Sequence, residues 1–257
     1  MLAIISPAKK LDVLDPSPIG TYTQPVYLEE TQKLVDTLKD KSRGELKKLM
    51  SISDKLADLN FERYQNFATN FDLSNSKQAI LAFQGDTYKG LDAHSLSEQE
   101  LKYAQDHLRI LSGLYGILRP LDLMQPYRLE MGTKLANENG EDLYDFWGAL
   151  LTQKCNDDTK EYGHKAVVNL ASNEYISSIR PGALDVPFIT CHFKEIKDGK
   201  AKVIGLYAKK ARGMMARYII KNRIEDPEDL RGFDMDGYQY DDSASTGSDL
   251  VFTRQSA

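Results

Sequence analysis

The sequence has few of the features that mark secreted or membrane proteins. Its two cysteines, Cys155 and Cys191, lie far apart and outside any CxxC pattern, so neither a disulfide framework nor a thiolate zinc site is indicated. No apolar run approaches the roughly 18 residues that a membrane span needs. The opening stretch MLAIISPAKK lacks the basic start and the long apolar segment of a signal peptide. We therefore expect a soluble cytosolic protein with free thiols.

Metal and cofactor motifs are also scarce. The histidines show no H-x-x-x-H or H-E-x-x-H spacing, and Cys191 and His192 are too close-set to be a recognisable metal pair. The stretch GDTYKG, residues 85–90, is rich in glycine but far from a phosphate-loop pattern. We predict no metal site and no cofactor, and we assign no catalytic residue.

The composition is that of an ordinary globular chain. Of the 257 residues, 41% are hydrophobic and 28% are charged, which indicates neither disorder nor a fibrous repeat. The net charge of -5 argues against a nucleic-acid partner only on average, because it hides local patches. How the charges are distributed along the chain therefore matters more than their sum.

Strand and helix patterns alternate irregularly along the chain. LAIIS (2–6), QAILAF (78–83) and AVVNLA (166–171) are typical of buried strands, and Asp198-Gly199 predicts a hairpin turn. Helical spacing covers Tyr27 to Phe67. No even βαβα rhythm, linker or repeat is visible. We predict a single mixed α+β domain over residues 1–257, with a central sheet flanked by helices.

Two further segments have helical spacing of apolar residues. Residues 95–113 are predicted to begin a helix at the cap Ser97, with Glu100 as its capping-box partner, and to end it at Gly113. The apolar residues from Leu143 to Leu151 predict one amphipathic helix. The tail pairs GYQYDD with DLVFTR in a predicted second hairpin.

The stretch LMSISDKLADLN, residues 49–60, interrupts a helical run with Ser51-Ile52-Ser53. This order resembles the helix-hairpin-helix DNA-binding element, which we place at residues 44–66. Ile52 would fill the gap between the two helices, and Ser53 would cap the second one. The unpaired N–H groups and positive dipole of that helix favour a phosphate, beside which Lys55 would stand.

The usual hairpin pattern has glycine where this chain has Ser51 and Ser53. A backbone that needs positive φ is strained by serine. The alternative is a plain pair of antiparallel helices with Ser53 as an N-cap.

A second basic element covers residues 199–224, which hold eight Lys and Arg residues and no acidic residue. If AKKARGMMARYIIKNR is helical, Lys210, Arg217 and Lys221 form one stripe, while Lys209, Arg212 and Arg223 form another. Such a helix could line a groove and present cations to a phosphate backbone. The alternative is a solvated face compensated by the acidic tail that contains Asp234, Asp236, Asp241 and Asp242.

Candidate anion-binding and catalytic residues occur elsewhere. Ser6 and Lys9 have the S-x-x-K spacing of a serine nucleophile, without its usual companion motifs. Arg119 and Arg128 lie in a looped apolar segment where each could bind an anion or pair with a nearby acid, Asp122 or Glu130.

Several long stretches together resemble the YaaA family of bacterial peroxide-stress resistance proteins. They are IISPAKKLD (4–12), ISDKLADLN (52–60), AFQGDTYKGLDA (82–93), HLRILSGLYGILRPLDLMQPYRLEMGT (107–133), LYDFWG (143–148), NLASNEY (169–175) and YAKKARGMMARYII (207–220). The resemblance implies a cytosolic protein that limits oxidative damage, with a mixed α/β fold, a positively charged cleft and a helix-hairpin-helix element. It supplies no catalytic residues.

From the residues and the resemblance together, we predict a protein that binds duplex or distorted DNA by its phosphate backbone, without sequence preference. The predicted DNA-binding residues are Lys9, Ser51, Ile52, Ser53, Lys55, Arg128, Lys209, Lys210, Arg212, Arg217 and Lys221. One alternative is an enzyme that acts on an anionic substrate in the same cleft through Ser6 and Lys9. The other is an iron-handling protein, which only the family's physiology suggests.

Overall fold

Buried strands and amphipathic helices make up most of the molecule. A computed structural model describes residues 1–12, 15 and 17–256. The strands in these residues are β1 (Leu2–Ile5), β2 (Lys10–Leu11), β3 (Lys77–Gln78), β4 (Phe83–Gln84), β5 (Leu108–Ser112), β6 (Gly116–Leu118), β7 (Leu123–Met124), β8 (Val167–Leu170), β9 (Phe188–Lys197), β10 (Lys200–Lys202), β11 (Gln239–Tyr240) and β12 (Asp249–Gln255).

The helices surround these strands. They are α1 (Leu28–Lys39), α2 (Arg43–Met50), α3 (Asp54–Gln65), α4 (Ala79–Ala82), α5 (Asp86–Leu91), α6 (Glu98–His107), α7 (Leu143–Trp147), α8 (Leu150–Thr159), α9 (Asn173–Ile176) and α10 (Gly205–Asn222), with short 3₁₀ helices at Ala93–Ser95, Pro181–Ala183, Pro227–Gly232, Met235–Gly237 and Asp242–Ala244. None of the helices in the described residues is both long and apolar enough to cross a membrane.

Five parallel strands form the centre of the main sheet, in the order β5-β1-β8-β9-β12. The outer strands β6 and β11 and the side strand β10 pair antiparallel with β5, β12 and β9. Strands β1 and β8 are buried at every position, as expected for parallel strands covered on both faces. The predicted mixed α/β fold with a central sheet flanked by helices is confirmed.

Several local predictions agree with the structure. Ser97 and Glu100 form the predicted capping box at the start of α6. Asp198 and Gly199 both have positive φ, 52° and 71°, in the turn between β9 and β10. Strands β11 and β12 pair antiparallel in the tail, and α1, α2 and α3 occupy the predicted helical region.

Three predicted elements were wrong in type or length. Residues 79–82 form one helical turn, α4, whose first two amides donate to the carbonyls of Asp122 and Pro120; full burial removes the periodicity that separates strand from helix. Helix α6 ends at His107 rather than Gly113, because Leu108 enters the sheet between β1 and β6. The single helix predicted at 143–151 is split at Gly148, whose φ is 49°.

Candidate anion-binding cleft

The carboxyl ends of β1 and β8 meet at the centre of the sheet. From β1 the chain goes on to β5 on one side, and it later returns to place β8 on the other side of β1. In open parallel sheets, ligands bind in the crevice at such a reversal of strand order. Ser6 follows β1 and Ser172 follows β8, so both serines lie at this crevice.

A cavity of about 350 Å³ opens at this point. That volume falls within the range of small-molecule sites, about 300–1,000 Å³. Its lining residues are Ser6, Pro7, Ala8, Lys9, Lys10, Gln84, Gly85, Asp86, Thr87, Tyr88, Tyr127, Arg128, Leu129, Glu130, Ser172, Glu174, Tyr175, Lys209 and Arg212. Five of these side chains are cationic and three are acidic, so the lining carries a formal charge of +2 inside an acidic protein.

The two serines at the strand ends hold each other in place. The backbone N–H of Ser172 donates to Ser6 Oγ at 2.8 Å, and Ser6 Oγ donates to Ser172 Oγ at 3.3 Å. Lys9 Nζ instead pairs with Glu130 Oε2 at 2.7 Å. Ser6 and Lys9 therefore make no hydrogen bond with each other in the described structure, and the segment between them is not helical. The geometry of a serine activated by a lysine is not formed here.

Arg128 shares the carboxylate that Lys9 uses. Arg128 Nη2 lies 3.2 Å from Glu130 Oε1. This ion pair is the alternative to anion binding that the sequence offered for Arg128. Its Nε is buried and has no hydrogen-bond partner among the described residues. An unsatisfied buried donor costs free energy, so an acceptor from a ligand would be stabilised at this position.

Lys209 and Arg212 project from α10 into the same lining. Neither side chain makes an ion pair or a hydrogen bond with any residue that the structure describes. Arg212 is half-buried, and burial lowers its pKa, while the nearby Cys191 thiol acts in the opposite direction. Burying a guanidinium without a counter-charge costs free energy, so an anion that pairs with Arg212 would be stabilised there.

Aromatic rings form another part of the wall. Tyr88 donates its hydroxyl to the backbone oxygen of Ser6 at 3.1 Å, and the Tyr127 hydroxyl lies 2.6 Å from Ser112 Oγ. Burial raises the pKa of both phenols, so they remain neutral. Tyr175 lies beside them in the lining. With two hydroxyls held by the protein and all three rings buried, these tyrosines form an uncharged part of the wall.

The predicted stripe of Lys210, Arg217 and Lys221 on α10 forms ion pairs within the protein. Lys210 pairs with Asp236 at 3.2 Å, Arg217 with Asp92 at 3.5 Å and Lys221 with Glu100 at 2.7 Å. None of the three cations is in the cavity lining. The alternative in which the acidic tail compensates the basic helix is thus found at Lys210, which pairs with Asp236 of the tail. The binding of DNA by Lys210, Arg217 and Lys221 stays a prediction.

The predicted hairpin is a tight turn between α2 and α3. Ser51 adopts the left-handed conformation (φ 51°, ψ 50°) for which glycine is usual, Ile52 is buried, and Ser53 caps α3 by accepting from Leu56 N at 3.4 Å. The amides of Ser51 and Ile52 donate to Lys48 and Lys47 carbonyls. The turn itself is exposed at both serines.

Acidic side chains of the hairpin compete with the predicted phosphate. Asp54, the first residue of α3, pairs with Lys47 at 2.7 Å and places a carboxylate at the positive end of that helix. Arg43 pairs with Asp58 and Glu62. Lys55 has no ion pair with any described residue. The role of Ser51, Ile52, Ser53 and Lys55 in DNA binding stays a prediction.

Arg119, the other arginine that could bind an anion or pair with a nearby acid, forms the ion pair. Arg119 is bound to the buried Asp122 carboxylate, with Nη2 at 2.9 Å from Oδ1, and takes no part in the cavity. Within residues 1–12, 15 and 17–256, no group of three or more His, Cys, Asp or Glu side chains is placed to hold a metal ion. The iron-handling alternative stays a prediction.

Several lining residues were not singled out from the sequence. Ser172, Tyr127, Tyr175 and Gln84 carry no recognisable spacing, and only the three-dimensional convergence of strand ends brings them to Ser6. The NLASNEY stretch, which contains Ser172 and Tyr175, was noted for its resemblance to a family without a role being assigned to either residue.

Comparison with known proteins matches this chain to one family. Residues 1–244 match the family described as "Peroxide stress protein YaaA". A UPF0246 protein of Saccharophagus degradans is 54% identical over 255 residues, covering 99% of this chain and 100% of that protein. UPF0246 proteins of Aliivibrio fischeri (strain MJ11) and Hahella chejuensis are 50% and 52% identical, each covering 99% of this chain and 98% and 99% of their own lengths. The chain belongs to the YaaA family of peroxide stress proteins.

Proposed function

We propose that this peroxide-stress protein binds DNA through phosphate contacts made around the cavity, without reading the base sequence. The observation that carries the proposal is the pair Lys209 and Arg212, which have no counter-charge among the described residues and lie in one lining with Lys10 and Arg128. Phosphate oxygens are strong acceptors for such donors. A bound phosphate would also satisfy the buried Arg128 Nε.

The cations extend from the cavity to the surface, which favours a polymer over a small isolated anion. Lys9, Lys10 and Lys209 are exposed, while Arg128 and Arg212 are partly buried. Cations at graded depth in one lining suit a strand that carries several phosphates. The overall charge of -5 does not oppose this, because the field near the cleft depends on the local residues.

The hairpin supplies a second contact in this proposal. Tyr64, near the end of α3, donates its hydroxyl to the backbone oxygen of Arg128 at 2.5 Å. The turn at Ser51 to Ser53 lies at the other end of the same helix, roughly 15 Å away along its axis. One helix thus links the turn to the cavity wall. Lys55 and the Ser53 backbone would hold a phosphate there.

The salt dependence of DNA binding tests the proposal. A matched duplex is titrated at several salt concentrations with wild type, Lys10→Ala and Lys209→Ala. We expect a linear log–log plot, and the magnitude of its slope should fall by about 0.9 for each phosphate contact removed. Several duplex sequences should be bound alike.

The matched control is Lys165→Ala. Lys165 is an exposed lysine just before the amino end of β8, whereas the cavity lies at the carboxyl end of that strand. It has no ion pair with any described residue. This variant should bind as wild type does. A flat salt response, or an equal loss in Lys165→Ala and Lys209→Ala, would overturn the proposal.

A further inference from the structure

An exposed apolar cluster lies next to the cavity. Val203, Ile204, Leu206 and Tyr207 precede or begin α10 and are 59%, 38%, 56% and 38% exposed. Exposed apolar residues grouped in this way are typical of a contact site. Leu206 stands one helical turn before Lys209, which lines the cavity. Leu206 therefore lies on the same face of α10 as Lys209, one helical turn from the cavity lining.

Cations flank this apolar cluster on both sides. Lys200 and Lys202 precede it in β10 and Lys209 follows it, and none of the three has an ion pair with a residue in the described ranges. Apolar side chains surrounded by unpaired cations match a nucleic acid, whose stacked bases are apolar and whose backbone is anionic.

The cavity has the features of a site for a planar ring that carries a phosphate. Tyr88, Tyr127 and Tyr175 line it and give it a neutral, largely apolar wall, which suits a planar base. Gln84 lines it too, and its side-chain amide has no partner among the described residues, so its donor and acceptor are free for the edge of a base. Arg128 and Arg212 provide charge for the phosphate of the same nucleotide.

We propose that the cavity takes a single nucleotide extruded from a DNA duplex, and that Leu206 enters the base stack in its place. This inference rests on the proposed DNA binding and names its ligand. Apolar side chains inserted between base steps unstack them, and extrusion is least costly where the base is mismatched or damaged. The site would thus prefer distorted DNA without reading its sequence.

The test compares two duplexes that differ only in one central T·T mismatch. Wild type should bind the mismatched duplex about tenfold more tightly than the matched one, since mispairing removes part of the extrusion cost. Leu206→Ala and Gln84→Leu should lose this preference to within about twofold. Lys202→Ala should weaken binding to both duplexes alike.

Leu150→Ala is the matched control for the wedge. Leu150 is also a leucine in the first turn of a helix, 39% exposed, and it does not line the cavity. This variant should keep the full mismatch preference. Since Leu206 and Leu150 are both largely exposed, neither substitution removes core packing, and circular dichroism verifies that both variants are folded.

A fluorescent base gives a second measurement. With 2-aminopurine next to the mismatched thymine, wild type should raise the fluorescence severalfold as stacking is lost, and Leu206→Ala should not. Equal binding of both duplexes by wild type, or an unchanged preference in Leu206→Ala, would overturn the extrusion while leaving DNA binding intact. Absence of salt-dependent binding to the matched duplex would overturn the proposed function and the extrusion together.

Discussion

Gly213 of α10 packs so tightly against Thr87 of α5 that a Cβ added to Gly213 would lie 1.8 Å from the Thr87 backbone oxygen. The contact is reciprocal, because a Cβ on Gly90 of α5 would lie 2.1 Å from the Lys210 backbone oxygen. Two glycines therefore bring the backbones of α5 and α10 into contact. Thr87 and Arg212, one from each helix, both line the cavity.

Gly213→Ala is expected to lower the free energy of unfolding by at least roughly 1–3 kcal/mol, because neither backbone can yield without separating the helices. Urea denaturation followed by far-UV circular dichroism measures the change. Gly205→Ala in the same helix has no atom within 4 Å of the added Cβ and should be neutral or stabilising by about 0.4–1 kcal/mol. Similar losses in both variants would contradict the packing argument.

The left-handed conformation of Ser51 predicts a stabilising substitution. Ser51→Gly should raise the free energy of unfolding by roughly 0.5–1 kcal/mol, because glycine adopts φ 51° without the clash of a Cβ. Ser53→Gly relieves no such strain, because φ at Ser53 is -69°. The substitution removes the hydroxyl that caps Leu56 N, so the free energy of unfolding should fall by roughly a few tenths of a kcal/mol. Thermal or urea denaturation of the two variants measures these changes. Equal changes in the free energy of unfolding would contradict the left-handed conformation of Ser51.

Glu130 sets the charge available in the cleft. Its carboxylate holds Lys9 and Arg128, so Glu130→Gln should free both cations and tighten DNA binding by roughly two- to fivefold at low salt. Fluorescence anisotropy with a labelled duplex measures this. Glu138→Gln removes a similar ion pair, with Lys33 at 2.7 Å, outside the cavity lining and should leave the affinity unchanged. Weaker binding by Glu130→Gln would mean that the two cations do not reach DNA.

The thiols of a peroxide-stress protein are natural candidates for oxidation, but both are buried here. Burial raises the pKa of Cys155 and of Cys191 to about 12, and only the thiolate reacts readily with peroxide. At pH 8 the folded chain should react with neither a disulfide reagent nor peroxide, whereas the chain unfolded in guanidinium should show two reactive thiols. Rapid modification of the folded protein would contradict this, and it would reopen a role for thiol chemistry in peroxide resistance.

Local signals in the sequence predicted local structure well. The Ser97 and Glu100 capping box and the Asp198-Gly199 turn depend on side chains within a few residues, and both are found as expected. The parallel sheet was not predicted, because β1 pairs with β5 and β8 across more than one hundred residues of intervening chain. Pairing over such distances leaves no periodic trace, and the irregular helices between the strands hide the βαβ units.

The cleft was predicted in part, for a related reason. The basic run in α10 was visible in the sequence, but the sequence does not reveal which cations meet acids from other elements. Asp236 and Glu100 neutralise Lys210 and Lys221, while Arg212 is left without a partner in the described ranges. The aromatic and serine residues of the wall come together only when distant strand ends converge.

The cavity draws its walls from the loop after the first strand and from the last long helix, with three other segments between them. During synthesis, a nascent chain therefore carries Ser6 and Lys9 long before Arg212 has left the ribosome. A product truncated before α10 would lack Lys209 and Arg212, two lining cations that have no ion pair with any described residue. Competence for ligand binding thus arises only after α10 has been synthesised and has packed against the earlier segments.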